Sequence, residues 1–127
     1  MIEKESASVV IVENQPLMLT ALSTALSADG MTVLAEVEQG KQVLEVAKRL
    51  TPDLILFSIS YPDMDDLQSI SSLRKEVPAS LILAIVSGEL DGQDQTVLDY
   101  GAHGVLTRVT PRSELLGVIK EMLQEKT

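Results

Sequence analysis

Cysteine and tryptophan are absent from this 127-residue sequence, and aromatic residues make up only 2% of it. Without cysteine there is no disulfide framework and no thiolate metal site, which agrees with a reducing compartment. A single histidine, His103, has no second imidazole to join it in a metal site or a catalytic pair. Its expected role is structural or solvent-exposed, in the turn before the last strand. Cations are scarce: 10 Lys and Arg stand against 19 Asp and Glu, for a formal net charge of -9. That balance disfavours direct nucleic-acid contact, which needs cations to neutralise phosphates, and disfavours anionic membrane surfaces. Its plainest consequence is solubility. No apolar stretch approaches membrane-spanning length, and the polar start Met1-Ile2-Glu3-Lys4-Glu5-Ser6 lacks the apolar centre of a signal peptide. A soluble, cytoplasmic protein is expected, with residues 1–7 as a flexible N-terminus. Glycine-rich phosphate loops are missing, and no Gly-x-Ser-x-Gly elbow surrounds Ser58 or Ser60. These absences leave an independent enzyme without a nucleophile and base, so no enzymatic activity is expected.

What is present is a regular alternation. The chain is 45% hydrophobic, enough for the core of one domain spanning 1–127. Five short apolar runs are predicted strands: Ser8 to Val12, Thr32 to Val37, Leu54 to Phe57, Leu81 to Val86 and Gly104 to Thr107. Between and after them lie five segments with helical spacing. The first runs from Pro16 to Ala28, with Leu17, Ala21, Leu22, Ala25 and Leu26 as its apolar face, Asn14 as a candidate N-cap and Asp29-Gly30 as its end. The second covers Gly40 to Leu50 and stops at Thr51-Pro52. The third covers about Asp66 to Val77, the fourth, weaker and more polar, Asp91 to Tyr100, and the last runs from Thr110-Pro111 to about Gln124. Strands alternating with helices predict a doubly wound α/β domain: a five-stranded parallel sheet with helices on both faces. In such sheets chemistry gathers just beyond the carboxyl ends of the strands. The residues there are Glu13 and Asn14, Ser58, Ser87 and Arg108.

Several segments at once carry a family resemblance. Ile11-Val12-Glu13-Asn14-Gln15-Pro16-Leu17, Pro52-Asp53-Leu54-Ile55-Leu56-Phe57-Ser58-Ile59, Tyr61-Pro62-Asp63-Met64-Asp65-Asp66-Leu67, and Tyr100-Gly101-Ala102-His103-Gly104 with Val105-Leu106-Thr107-Arg108 together resemble a two-component response-regulator receiver domain. The pattern is closest to receivers that precede a helix-turn-helix DNA-binding output domain. The resemblance implies a flavodoxin-like (βα)5 fold, three layers deep, and a signalling role in a phosphorelay. In that family two acids after the first strand and an acceptor aspartate ending the third hold magnesium, a hard cation that wants oxygen ligands. A lysine after the fifth strand and a hydroxyl after the fourth meet the phosphoryl group.

By this resemblance Glu13 and Asn14 take the acidic-pair positions, Ser58 the acceptor position, Ser87 the hydroxyl position and Arg108 the lysine position. Three carboxylates thus become one. Magnesium keeps its waters unless charge is supplied, so weak or absent magnesium binding, no other cofactor and no aspartyl phosphate at position 58 are expected. Arg108 is expected to pair with Glu13, or another nearby carboxylate, in place of the ion. The family's switch aromatic on the fifth strand corresponds to Val105, which has no ring to swing. The expected protein is a degenerate receiver acting through protein partners, a histidine kinase or another signalling protein among them, or through dimerisation by its last two strand-helix units. An attached output domain would make it a regulator of transcription. The alternative is a phospho-responsive receiver that uses Ser58 or a displaced acid. The cluster Asp63, Asp65, Asp66 lacks the ligand alternation of a calcium loop and reads as a helix start.

Overall fold

Runs of aliphatic and β-branched residues too short to make helices gain most by lying side by side in a sheet. The computed structural model describes residues 6–59, 64–87 and 92–126. Among these residues it holds five strands: β1 (Ser8–Val12), β2 (Thr32–Val37), β3 (Leu54–Ile59), β4 (Leu81–Val86) and β5 (Gly104–Thr107). The helices are α1 (Pro16–Ala28), α2 (Gly40–Leu50), α3 (Met64–Glu76), α4 (Gln93–Asp99) and α5 (Arg112–Lys126). All strand pairs are parallel, in the order β2-β1-β3-β4-β5. This is the flavodoxin-like three-layer architecture expected from the alternation.

Period-two alternation sends the side chains of β1, β3 and β4 to two separate cores. Ile55, Phe57 and Ile59 of β3, with Ile82, Ala84 and Val86 of β4, pack against Val43 and Ala47 of α2, Ile70 and Leu73 of α3, and Val97 of α4. Leu54 and Leu56, with Leu83 and Ile85, face the other way onto Leu22 and Leu26 of α1 and Leu115 and Ile119 of α5. Both faces of β3 and β4 are covered, which is why these strands read as continuous apolar runs. Each fully buried Val, Leu, Ile or Phe among them contributes about 1.5–3 kcal/mol before chain entropy is charged against it.

Local features hold the layers in register. Asp53 Oδ2 accepts bonds from Ser8 N at 2.9 Å and Ser8 Oγ at 3.2 Å, pinning β1 to β3 at their amino ends. Gly40 lets α2 descend onto the sheet: a Cβ there would lie 2.6 Å from Phe57 Cζ. His103 N donates to Ile82 O at 2.8 Å, and Ile82 N donates back to His103 Nδ1 at 3.0 Å. The histidine therefore joins the entry of β5 to β4, a structural role, one of the two expected for it.

Several boundaries differ from expectation. The N-cap of α1 is Gln15, not Asn14, and makes no side-chain cap bond, because Pro16 at the first helical position sets the turn. Leu17 is 88% exposed and Ala21 is also exposed, so the buried face of α1 narrows to Leu22, Ala25 and Leu26. β3 continues through Ser58 and Ile59, which pair with Ile85 and Val86. α3 starts at Met64 rather than Asp66, with Asp65 and Asp66 in its first turn, where carboxylates meet the positive helix end. α4 is trimmed to Gln93–Asp99, and α5 runs from Arg112 to Lys126. Residues 1–5 of the expected flexible terminus, the loop residues Ser60, Tyr61, Pro62 and Asp63, and Asp91 lie outside the described residues.

Candidate functional site

The parallel sheet brings the carboxyl ends of its strands to one edge, and backbone bonds carry the ladder one residue beyond each strand. Glu13 N donates to Val37 O at 2.9 Å, Ser87 N to Ile59 O at 3.1 Å, and Arg108 N to Val86 O at 3.0 Å. Glu13, Ser58, Ser87 and Arg108 thereby share one rim although they are far apart in the chain. Ser58 follows Phe57, which is level with Val12, so Ser58 stands beside Glu13 on the neighbouring strand.

The dominant interaction at this rim is an ion pair. Arg108 Nη2 lies 3.1 Å from Glu13 Oε2, with side-chain exposures of 14% and 0% respectively. To make it, the arginine reaches from the end of β5 past β4 and β3 to the end of β1. Gln15 joins the same network: its backbone N donates to Glu13 Oε2 at 3.0 Å, and its Oε1 accepts from Arg108 Nη1 at 3.4 Å. The arrangement satisfies one carboxylate oxygen twice. Glu13 Oε1, Ser58 Oγ and Arg108 Nε remain buried without hydrogen-bond partners among the described residues. Gln15 was not singled out from the sequence. Its neighbourhood to Glu13 was the only available signal, and its amide reaches Arg108 solely through the fold.

The other rim residues separate from this pair. Asn14 is exposed. Val105, partly buried, pairs with Ala84 and packs against the core beneath α2, α3 and α4. Ser58 and Asn14 also line a cleft of about 660 Å³ whose walls come from α2, the residues just before it, and α3. Among the described residues no three His, Asp or Glu side chains are grouped so that they could hold a metal ion together. The donors at the rim fit a divalent ion poorly: among the described residues Glu13 is the one carboxylate directly at the ends of β1 and β3, and Arg108 and the Gln15 amide already hold its Oε2. No described helix is long and apolar enough to cross a membrane.

Comparison with known proteins agrees with this geometry. The family described as the response regulator receiver domain matches residues 9–120. The nitrate/nitrite response regulator protein NarL of Escherichia coli K12 is 28% identical over 122 residues, covering 95% of this chain and 56% of that protein. The response regulator protein VraR of Staphylococcus saprophyticus is 26% identical over 114 residues, covering 89% of this chain and 54% of its own length. The chain thus spans about half the length of these relatives. Among solved structures, the signal receiver domain of the response regulator NarL from Mycobacterium tuberculosis superimposes with a TM-score of 0.86 at 25% identity, covering 95% of this chain and 98% of that one. A LuxR-family DNA-binding response regulator from Staphylococcus aureus shares the fold with a TM-score of 0.82 at 17% identity, covering 92% of this chain and 98% of that one. A parallel β2-β1-β3-β4-β5 sheet, a strand-end rim and a family match over nearly the whole chain lead to one conclusion: this chain is a receiver domain of the two-component response regulators.

Proposed function

We propose that this receiver signals without phosphorylation at position 58, and that the Glu13–Arg108 pair does the electrostatic work that a bound cation does elsewhere in the family. The observation behind this reading is the pair itself: a fully buried carboxylate whose Oε2 is held by a guanidinium at 3.1 Å. A magnesium ion at this rim would have to displace Arg108 and would find Asn14 and Ser58, an amide and a hydroxyl, where charge is needed. The arginine supplies a fixed positive charge with no hydration shell to strip. Input then comes from a protein partner, a histidine kinase or another signalling protein, rather than from a phosphoryl group. Output runs through a homodimer built on the last two strand-helix units, β4-α4 and β5-α5. By analogy with longer relatives, one of them named as DNA-binding, the parent protein regulates transcription through an attached output domain.

The test is direct. Purified protein is incubated with a small-molecule phosphodonor and magnesium, and its intact mass is measured. No gain of mass is expected. The variant Asn14→Asp/Ser58→Asp/Arg108→Lys, which puts carboxylates and the smaller cation at the rim, is expected to gain one phosphoryl group. A phosphoryl adduct on the unmodified chain, mapped to Ser58 or to a nearby acid, would replace this reading with that of a phospho-responsive receiver.

A further inference from the structure

A groove of about 500 Å³ runs between α1 and α5 beside β4 and β5, within the size range of small-molecule sites. Its floor is core that is not quite covered. Leu22, Ala25 and Leu115 each keep 6% exposure and Ile85 keeps 5%, whereas Leu26 and Ile119 on the same two helices keep none. Leu17 and Met18 extend this apolar lining, and Leu17 is 88% exposed. A lone exposed leucine means little; this one continues a strip that begins in the core. From Leu17 to Ala25 the strip follows two turns of α1, about 12 Å, the reach of a medium-length alkyl chain.

Charge along this groove has one sign. Arg108 and Arg112 line it and no Asp or Glu does, in a chain with 19 acids against 10 bases. The 13 residues of α1 include no charged one. Glu13 matches the Arg108 charge at 3.1 Å. Arg112 is exposed, and no ion pair holds it among the described residues, so its charge is unspent. Thr107 and Thr110, with Oγ1 atoms 3.4 Å apart, stand beside the arginines in the turn from β5 to α5. The polar groups thus gather at the strand-end edge, and the apolar strip leads away from them along α1. A guanidinium pairs with a carboxylate through two parallel bonds. The lining holds no aromatic ring for a planar ligand to stack on.

We propose that the groove between α1 and α5 binds a medium-chain aliphatic carboxylate, its head group at Arg112, Thr107 and Thr110 and its alkyl chain along Leu17, Leu22 and Ala25. The source is a free acid and not a membrane surface, because a net charge of -9 repels anionic bilayers. Arg108 lines the groove and also holds Glu13, so a bound carboxylate is felt at the rim, where it competes with Glu13 Oε2. The site gives the receiver a ligand input and holds whether or not position 58 takes a phosphoryl group.

The experiment is an NMR titration of the whole 127-residue chain with decanoate, at physiological salt and below its micellar range. Acetate, decanol and decylamine serve as comparison probes for the head group alone, the neutral chain and the opposite charge. Saturable shifts are expected at the amides of Leu22, Ala25, Thr107 and Leu115, and at that of Gln15, which donates to Glu13 Oε2. Decanoate should bind about 5–10-fold more tightly than decanol or decylamine, and acetate should leave these amides in place. Arg112→Ala should erase that preference, weakening decanoate about 5–10-fold, the effect of one part-exposed charged contact. Arg49→Ala removes an exposed cation from α2 and should change nothing. Ala21→Phe fills the groove from an exposed position and should abolish binding. None of these changes removes a core side chain, so all three variants are expected to fold. Equal binding of decanol and decanoate, or undiminished decanoate binding by Arg112→Ala, would overturn the proposal. So would shifts of the same amides with protein concentration alone, the mark of a second copy covering this face.

Discussion

Replacing Arg108 by methionine tests whether the rim pair is a buried electrostatic anchor or a surface contact. Methionine keeps much of the aliphatic stem and deletes the charge. It leaves the Glu13 carboxylate, with 0% side-chain exposure, holding only the Gln15 amide on Oε2 and nothing on Oε1 among the described residues. Breaking a buried pair by removing one member typically costs about 3–5 kcal/mol, because the remaining charge is uncompensated. A domain of 127 residues loses roughly 4 °C of Tm per kcal/mol, so the expected fall is about 12–20 °C. The double variant Glu13→Gln/Arg108→Met removes both charges and should recover most of the loss, since a neutral pair carries no such desolvation cost. Urea denaturation of the wild type, both single variants and the double variant gives the coupling energy from one cycle. A coupling above about 2 kcal/mol supports the argument. An Arg108→Met loss below about 1 kcal/mol is the value of an exposed ion pair and would refute it, taking with it the claim that this cation substitutes for a metal.

Three further outcomes are expected. Magnesium titration of the wild type, followed by calorimetry, should give no saturable binding in the sub-millimolar range, whereas Asn14→Asp/Ser58→Asp/Arg108→Lys should bind. Gly40→Ala should destabilise the fold by about 1–3 kcal/mol in chemical denaturation, as overpacking does, because its Cβ would meet Phe57 Cζ at 2.6 Å; the penalty should shrink in a Phe57→Leu background. His103→Ala removes the acceptor of the Ile82 amide and should cost about 1–3 kcal/mol, with hydrogen exchange at Ile82 rising more than exchange at Ile55 in the centre of the sheet.

Much of this molecule was legible without coordinates, and the reasons are local. Leu81 to Val86 is too short and too apolar to be anything but a doubly covered strand, and it is one. Pro52 and Gly101 end helices through backbone constraints that operate wherever those residues occur: proline disfavours the helical region for the residue before it, and Gly101 takes a φ of 127°. The left-handed φ of 42° at Thr51 was not legible, since a β-branched residue rarely adopts it. Boundaries that depend on neighbours were less legible. Ser58 and Ile59 belong to β3 because β4 offers partners for them, and Leu17 lies outside because no element covers the first turn of α1.

The candidate site divides in the same manner. Alternating strands and helices were enough to send Glu13, Ser58, Ser87 and Arg108 to one edge of a parallel sheet, since that topology follows from chain handedness alone. The resemblance to receiver domains, set beside Asn14 and Ser58, carried the expectation that this edge is short of carboxylates. The partner of Arg108 was another matter: Glu13 lies 95 positions away, and reach, burial and the help of Gln15 exist only once β5, β4, β3 and β1 are laid side by side. The amino-acid order set which groups were available and which strand ends they occupied. Folding in three dimensions selected which of them touch, because desolvation and distance, the two quantities that govern an ion pair, are properties of packed elements and not of the chain.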